Sequence, residues 1–237
     1  MEEKRRGEVN GVKYYAFTNY DEIISFIEGK KKILVAINAG KLNEATDKTR
    51  EIINNNIGYC DGVGAVWALK KKGFKEAVRI SGCDIWTVFI ERWTPQKSFY
   101  FIGGKQEVID STIAQLKVDY PQIRIAGYRN GFLKSEDEKK ALIADIKDKQ
   151  PDMIFVAMGS PRQELLMDEM YKEYPAIYQG LGGSFDVYVG AKARPPQWVL
   201  DWNLYGVYRT VTDLTWARIR RFWTDSIFII KVFLHIY

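Results

Sequence analysis

Residues 151–164, PDMIFVAMGSPRQE, and residues 180–209, GLGGSFDVYVGAKARPPQWVLDWNLYGVYR, decide the fold of this chain. Met153 to Met158 is an unbroken apolar run bounded by Pro151 and Gly159, the pattern of a strand covered on both faces in a parallel sheet. Ser160 then reads as a helix N-cap, with Pro161 at the first helical position and Gln163 where a capping side chain reaches back. A helix that opens at the end of a central strand stands where open α/β sheets bind ligands, and its free N–H groups suit a phosphate. On spacing alone, starting a helix and binding a ligand explain Ser160, Pro161 and Gln163 equally well.

Outward from this stretch, strand and helix patterns alternate. Strands are expected at 14–17, 33–38, 57–60, 98–102 and 123–126. Asn19 with Glu22, and Ser135 with Glu138, form capping boxes. One helix is expected to carry Leu42, Ala45, Thr49, Ile52 and Ile53 on a single face, and another Ile109, Ile113, Leu116 and Tyr120. The order implies a doubly wound α/β fold, a mostly parallel sheet with helices on both faces. Composition changes once, near Arg194-Pro195-Pro196, so an α/β domain over 1–195 and a basic, aromatic helical appendage over 196–237 are expected.

The 237 residues suffice for a full core, and 46% hydrophobic with 27% charged residues is ordinary for a soluble globular chain. Cys60 and Cys83 have neither zinc spacing nor a disulfide framework and read as free thiols. The opening MEEKRRGEVNG has no apolar run, so no signal peptide is expected, and the cytoplasm is the expected compartment. Residues 190–237 hold seven basic against three acidic residues, a net +4 that points to a polyanionic partner, nucleic acid or an anionic membrane. Trp216, Ile219, Trp223, Ile227 and Ile230 form a helical stripe beside Arg218, Arg221 and Asp225. Such a helix fits a membrane interface; the alternative is a face docked on the core or on a second copy of the chain, and the two could hold in turn.

The one histidine, His235, excludes a histidine base elsewhere and a histidine-rich metal site. No Asp-x-Asp occurs, so the acidic metal-bridging motif of many sugar-nucleotide transferases is missing. Asp61-Gly62-Val63-Gly64 runs on to Trp67, where a dinucleotide fingerprint needs glycine or alanine. What remains is carboxylate chemistry without a tightly held metal or a cofactor. Asp61 follows a strand and precedes two glycines, which fits either a base at the sheet edge or a plain Asp-Gly turn.

GSPRQE, GGSFDVYVGAKARPPQW and YGVYR, with DGVG at 61–64, RISGCD from Arg79, FIGGK from Phe101 and the YPQIRIAGYRNGF run ending at Phe132, resemble the WecG/TagA/CpsF family of bacterial glycosyltransferases along nearly the whole chain. The resemblance implies that Asp61 is the base. It puts Asn38, Gly62, Gly64, Arg79, Gly103, Gly104, Gly127, Tyr128, Gly131, Phe132, Gly159, Gln163 and Glu164 around a UDP-sugar. Glycine-turn N–H groups at 103–104, 127–131 and 159 would converge on diphosphate and uridine. Asp186 reads as a turn organiser. Arg209, Arg218 and Arg221 resemble appendage arginines that pair with a lipid-linked diphosphate, with Arg220 as a competitor. Ala36 and Gly40 stand where the family pattern has threonine and glutamate.

The implied activity is inverting transfer of N-acetylmannosamine, its uronic acid or another hexose from a UDP-sugar to an undecaprenyl-diphosphate-linked saccharide, for teichoic acid, capsule or a related polymer. The protein would sit peripherally on the inner face of the cell membrane and bind no nucleic acid. Two rivals are a non-catalytic UDP-sugar-binding subunit, favoured by Ala36 and Gly40, and a nucleic-acid binder, for which no reading module is visible.

Overall fold

The computed structural model describes residues 5–196, 198–199, 208, 211–212 and 215–234; the side chains of 217, 218, 221 and 222 lie outside that description. Among these residues one eight-stranded sheet forms from β1 (Arg6–Val9), β2 (Val12–Tyr15), β3 (Ile33–Ile37), β4 (Ile57–Cys60), β5 (Ser98–Gly103), β6 (Arg124–Arg129), β7 (Met153–Ala157) and β8 (Ile177–Gly180). Their order is β1-β2-β4-β3-β8-β7-β5-β6, parallel throughout except for the β1/β2 hairpin. The helices are α1 (Tyr20–Ile27), α2 (Ala39–Glu44), α3 (Asp47–Asn54), α4 (Val63–Lys71), α5 (Gly82–Trp93), α6 (Gln106–Asp119), α7 (Glu136–Lys149), α8 (Arg162–Glu173), α9 (Ser184–Tyr188) and a C-terminal helix, Trp216–Leu234.

β7 explains the apolar run of the opening stretch. Met153, Phe155 and Ala157 enter the core shared with Trp86, Phe89, Ile113 and Phe185, while Ile154 and Val156 enter the core shared with Leu42, Leu69, Leu142 and Met167. Both faces of the strand are therefore covered. Each large apolar side chain so buried contributes roughly 2 kcal/mol, which no alternating polar pattern could supply.

The chain winds outward from β3 to β4 on one side and from β5 to β6 on the other; β7 and β8 then fill the gap. The carboxyl ends of these parallel strands share one edge, and the reversal of winding opens a crevice there.

Several expectations change. The strand expected at 14–17 is β2, Val12–Tyr15, and an unexpected partner, β1, pairs with it through Asn10-Gly11, both at positive φ (50° and 75°). Asn-Gly is the residue pair that such a tight hairpin favours. The single helix expected over 42–53 is two, because Asn38 caps α2 and Thr46 separately caps α3. α5 was not anticipated. The strand expected at 123–126 runs on through Gly127 and Tyr128 to Arg129, so those two residues belong to an edge strand rather than a turn. α8 begins at Arg162, with Pro161 at the cap position after a cis Ser160–Pro161 bond, so Ser160 is not its N-cap.

The C-terminal helix packs on α2 and α4. Phe228 and Val232 are fully buried there, and Trp67 meets the Phe233 ring at 5.2 Å. The expected stripe is a different line of residues. Trp216, Trp223, Ile227 and Ile230 are 81%, 63%, 51% and 57% exposed. No described helix is long and apolar enough to cross a membrane.

Candidate active site

A cavity of about 1080 Å³ opens over the carboxyl ends of β3, β4, β7 and β8. Asp61 lines it. Asp61 N and Gly62 N both donate to Ile37 O, at 2.9 and 3.0 Å, which pins the turn after β4 to the neighbouring strand. Arg79 Nε donates to the Asp61 carbonyl at 2.7 Å, and Asp61 Oδ1 accepts from Gly82 N at 2.9 Å. Ser81, the residue before α5, makes no side-chain cap bond, so the Asp61 carboxylate caps that helix from the sheet. The side chain is thereby fixed at both its backbone and its carboxylate.

Gly62 is required by space, since a Cβ there would lie 2.8 Å from Asn38 Cβ and 3.0 Å from Asn38 Cα. Gly64 is less crowded: its nearest neighbours would be Ala39 Cβ at 3.4 Å, Ile229 Cγ1 at 3.5 Å and Phe228 Cδ1 at 3.6 Å. Those last two atoms belong to the C-terminal helix, which also brings Asp225 and Ser226 to the cavity wall.

Beneath the strand ends lies a buried polar chain. Lys41 Nζ donates to Ala36 O and to Glu164 Oε1, both at 2.8 Å. Gln163 Nε2 donates to the same Oε1 at 3.1 Å, and Gln163 Oε1 accepts from Gly159 N at 3.1 Å and Gly182 N at 2.9 Å. Glu164 is 1% exposed. Burial alone would raise its carboxyl, but the Lys41 ammonium, with hydrogen bonds from Lys41, Gln163 and Ser160, holds it below the usual carboxylate range. Burial, with the Asp61 charge adding to it, pushes the Tyr59 hydroxyl well up and the Cys60 thiol up to about 12.

Of the residues the sequence put at the site, Asn38, Asp61, Gly62, Gly64, Arg79, Gly104, Gly131, Phe132, Gly159 and Gln163 line the cavity. Gly103, Gly127, Tyr128 and Glu164 do not. Gly103 is needed where β5 meets β7, because at φ 142° a Cβ would fall 2.3 Å from Ala157 O. Gly127 makes room for the Tyr100 ring, 2.5 Å from where its Cβ would be, and Tyr100 in turn donates to Asp145. Glu164 is turned into the interior toward Lys41. Arg209 lies outside the described residues; Arg218 and Arg221 are on the C-terminal helix, their side chains outside the description. Asp186 pairs with Lys192 at 3.3 Å and accepts from Lys192 N at 2.9 Å, which organises the turn after α9.

The glycine turns do not offer the N–H groups expected of them. Gly104 N donates to Ala157 O, Gly131 N to Gly104 O, and Gly159 and Gly182 to Gln163. At that end the cavity is lined instead by Lys105 and Arg162, at the starts of α6 and α8, where a helix N-terminus favours an anion. The sequence reading missed these two, and also Lys41, Gly82 and the wall given by the C-terminal helix. Only Gly82 left a usable signal: Ser81 with Asp84 before an apolar run is a helix start. Among the described residues no three His, Cys, Asp or Glu side chains cluster as a metal site needs.

This arrangement provides a fixed carboxylate in a cavity large enough for two substrates, with Lys41, Arg79, Lys105, Arg162, Lys192 and Arg194 among its lining side chains. The model of the glycosyl transferase WecG/TagA/CpsF family matches residues 8–236. The chain belongs to that family and is a glycosyltransferase of cell-surface polysaccharide synthesis, acting on a sugar donor and an acceptor.

Proposed function

We propose that the protein is an inverting transferase that moves a hexose, N-acetylmannosamine or its uronic acid among the candidates, from a UDP-sugar to an undecaprenyl-diphosphate-linked saccharide. The observation that carries this reading is Asp61: its Oδ1 is held by Gly82 N at 2.9 Å in the cavity wall, which leaves Oδ2 for an acceptor hydroxyl. Asp61 takes the hydroxyl proton as the acceptor oxygen attacks the anomeric carbon from the face opposite UDP. The bond from that carbon to the diphosphate oxygen breaks, UDP departs with the electron pair, and the configuration inverts. Lys105 and Arg162 meet the diphosphate charge, consistent with a transfer that needs no metal.

The C-terminal helix serves the acceptor side. Its inner line closes the cavity next to Gly64, and its outer line of Trp216, Trp223, Ile227 and Ile230 suits the interfacial layer of an anionic membrane. In this reading residues 1–195 form the UDP-sugar domain and 196–237 the appendage, with Arg209, Arg218 and Arg221 on the lipid diphosphate.

The test is UDP release from a panel of UDP-sugars with a prenyl-diphosphate-linked sugar, with and without chelator, for wild type and Asp61→Asn. Asparagine keeps the oxygen that accepts from Gly82 N and loses the base. One donor turning over with acceptor, and a fall of about 10²–10⁴-fold in the variant with UDP-sugar affinity retained, supports the reading. UDP binding without turnover would favour the non-catalytic binding subunit, to which the Ala36 and Gly40 departures point. Cosedimentation with anionic vesicles tests the membrane part.

A further inference from the structure

Lys41 and Glu164 come from opposite wings of the sheet. Lys41 is on α2, which follows β3, and Glu164 is on α8, which follows β7; β8 lies between these strands. The Lys41 side chain is 10% exposed and the Glu164 side chain 1%, and their 2.8 Å ion pair bridges the reversal point beneath the cavity. Glu164 Oε1 also accepts from Gln163 Nε2, and this fixes which way the Gln163 amide faces. With its nitrogen committed to Glu164, its oxygen is directed at Gly159 N and Gly182 N, the turns that end β7 and β8. A Cβ on Gly180 would lie 2.5 Å from Gln163 Nε2, so the glycine is what makes room for the amide in this pose. At the other end, Lys41 N donates to Asn38 Oδ1, and Asn38 Cα lies 3.0 Å from the Cβ position of Gly62, beside Asp61.

We propose that Lys41 is a positioning residue: through Glu164 and Gln163 it sets the two glycine turns at the donor end, and through its own helix start it ties them to the turn that carries Asp61. Glu164 accordingly acts on Gln163 rather than on substrate. The proposal rests on the transferase reading only in naming the donor as the ligand that loses affinity.

The test is amide exchange at Gly159 and Gly182, read by ¹⁵N NMR in the intact protein. Gly104 and Gly131, whose N–H groups donate to backbone carbonyls, are the internal controls. Lys41→Met is expected to speed exchange at Gly159 and Gly182 by about tenfold, the net worth of one hydrogen bond, and to leave the controls unchanged. The Lys41→Met/Glu164→Gln pair removes the uncompensated charge and keeps an acceptor for Gln163, so both amides should recover to within about threefold of wild type. UDP affinity, measured by calorimetry, should fall and recover in parallel. Unchanged exchange at Gly159 and Gly182 in Lys41→Met, or no recovery in the double variant, overturns the proposal. If Lys41→Met does not fold, the pair Lys41→Met/Glu164→Leu carries the comparison, since it leaves no buried charge and takes away the acceptor of Gln163: faster exchange at both amides supports the proposal and unchanged exchange refutes it. Should wild type bind no UDP, the donor reading fails while the amide comparison still decides the role of Lys41.

Discussion

Phe228→Ala separates the docking of the C-terminal helix from the stability of the sheet. Phe228 is fully buried between the helix and the α2/α4 surface, and its Cδ1 lies 3.6 Å from the Cβ position of Gly64. Truncating a buried phenylalanine costs about 3–5 kcal/mol. Among the described residues the helix is also held by Val232, by Ile229 beside Gly64, by Trp67 and Lys71 against the Phe233 ring, and by Asn43 Nδ2 donating to Thr224 O at 3.1 Å. The loss therefore falls on the docking of the helix and on none of the contacts within the sheet. At about 1.4 kcal/mol per decade, the undocked population should grow between about a hundred- and a few thousand-fold. Hydrogen exchange followed by mass spectrometry should show residues 223–232 losing protection by that factor, with β7 peptides unchanged. Acceptor KM should rise while UDP affinity holds, since the wall beside Asp61 is lost and the donor end is intact. Equal loss of protection in β7 would show that the helix and the sheet unfold as one unit; unchanged protection over 223–232 would show that Phe228 does not hold the helix. Either result refutes the reasoning.

Gly62→Ala should lower Tm, because its Cβ would press on Asn38 Cβ and Cα at 2.8 and 3.0 Å, an overpacking cost of about 1–3 kcal/mol. Gly64→Ala meets its neighbours at 3.4 Å or more inside a helix and should leave Tm unchanged or raise it by the worth of about 0.5–1 kcal/mol; the reverse ranking in a thermal melt would sink the argument. Glu164 has a folded pKa below its ordinary 4.5, so the unfolded chain binds more protons, and stability should be present above pH 4.5 and drain away as pH falls through the folded value. Denaturant titrations between pH 3 and 6 should show a flatter acid limb for Glu164→Gln than for wild type. Cys60 is buried, with its thiol pushed up to about 12, whereas Cys83 lines the cavity. Iodoacetamide at pH 8 should modify Cys83 first, more slowly when UDP-sugar is bound, and peptide mapping that finds Cys60 labelled first would contradict this.

How much of this was legible follows from the range of the forces involved. The alternation of strands and helices, the buried β7 and the placement of Asp61 at a strand end rest on local periodicity and on turn residues next to one another, and these could be read directly. The Asn10-Gly11 hairpin was equally local and was overlooked. The division of 39–54 into two helices was harder, because one amphipathic pattern spans both and only the Thr46 side chain, accepting from Thr49 N, breaks it. The buried chain from Lys41 to Gly182 joins residues 41, 163, 164, 159 and 182, so no spacing rule could have assembled it. The same holds for the glycines. Motif matching marks Gly103, Gly104, Gly127, Gly131 and Gly159 alike, yet the structure uses Gly103 and Gly127 for close approach of neighbouring groups and gives the other three N–H groups internal acceptors. The C-terminal helix shows the limit most clearly. Its most regular apolar stripe points to solvent, while Phe228 and Val232, four residues apart on an adjacent line, make the contact with the core. Periodicity shows that such a helix has an apolar face; which line is buried depends on the shape of the α2 and α4 surface that receives it, and that seating is what brings Asp225, Ser226 and Ile229 to the cavity wall.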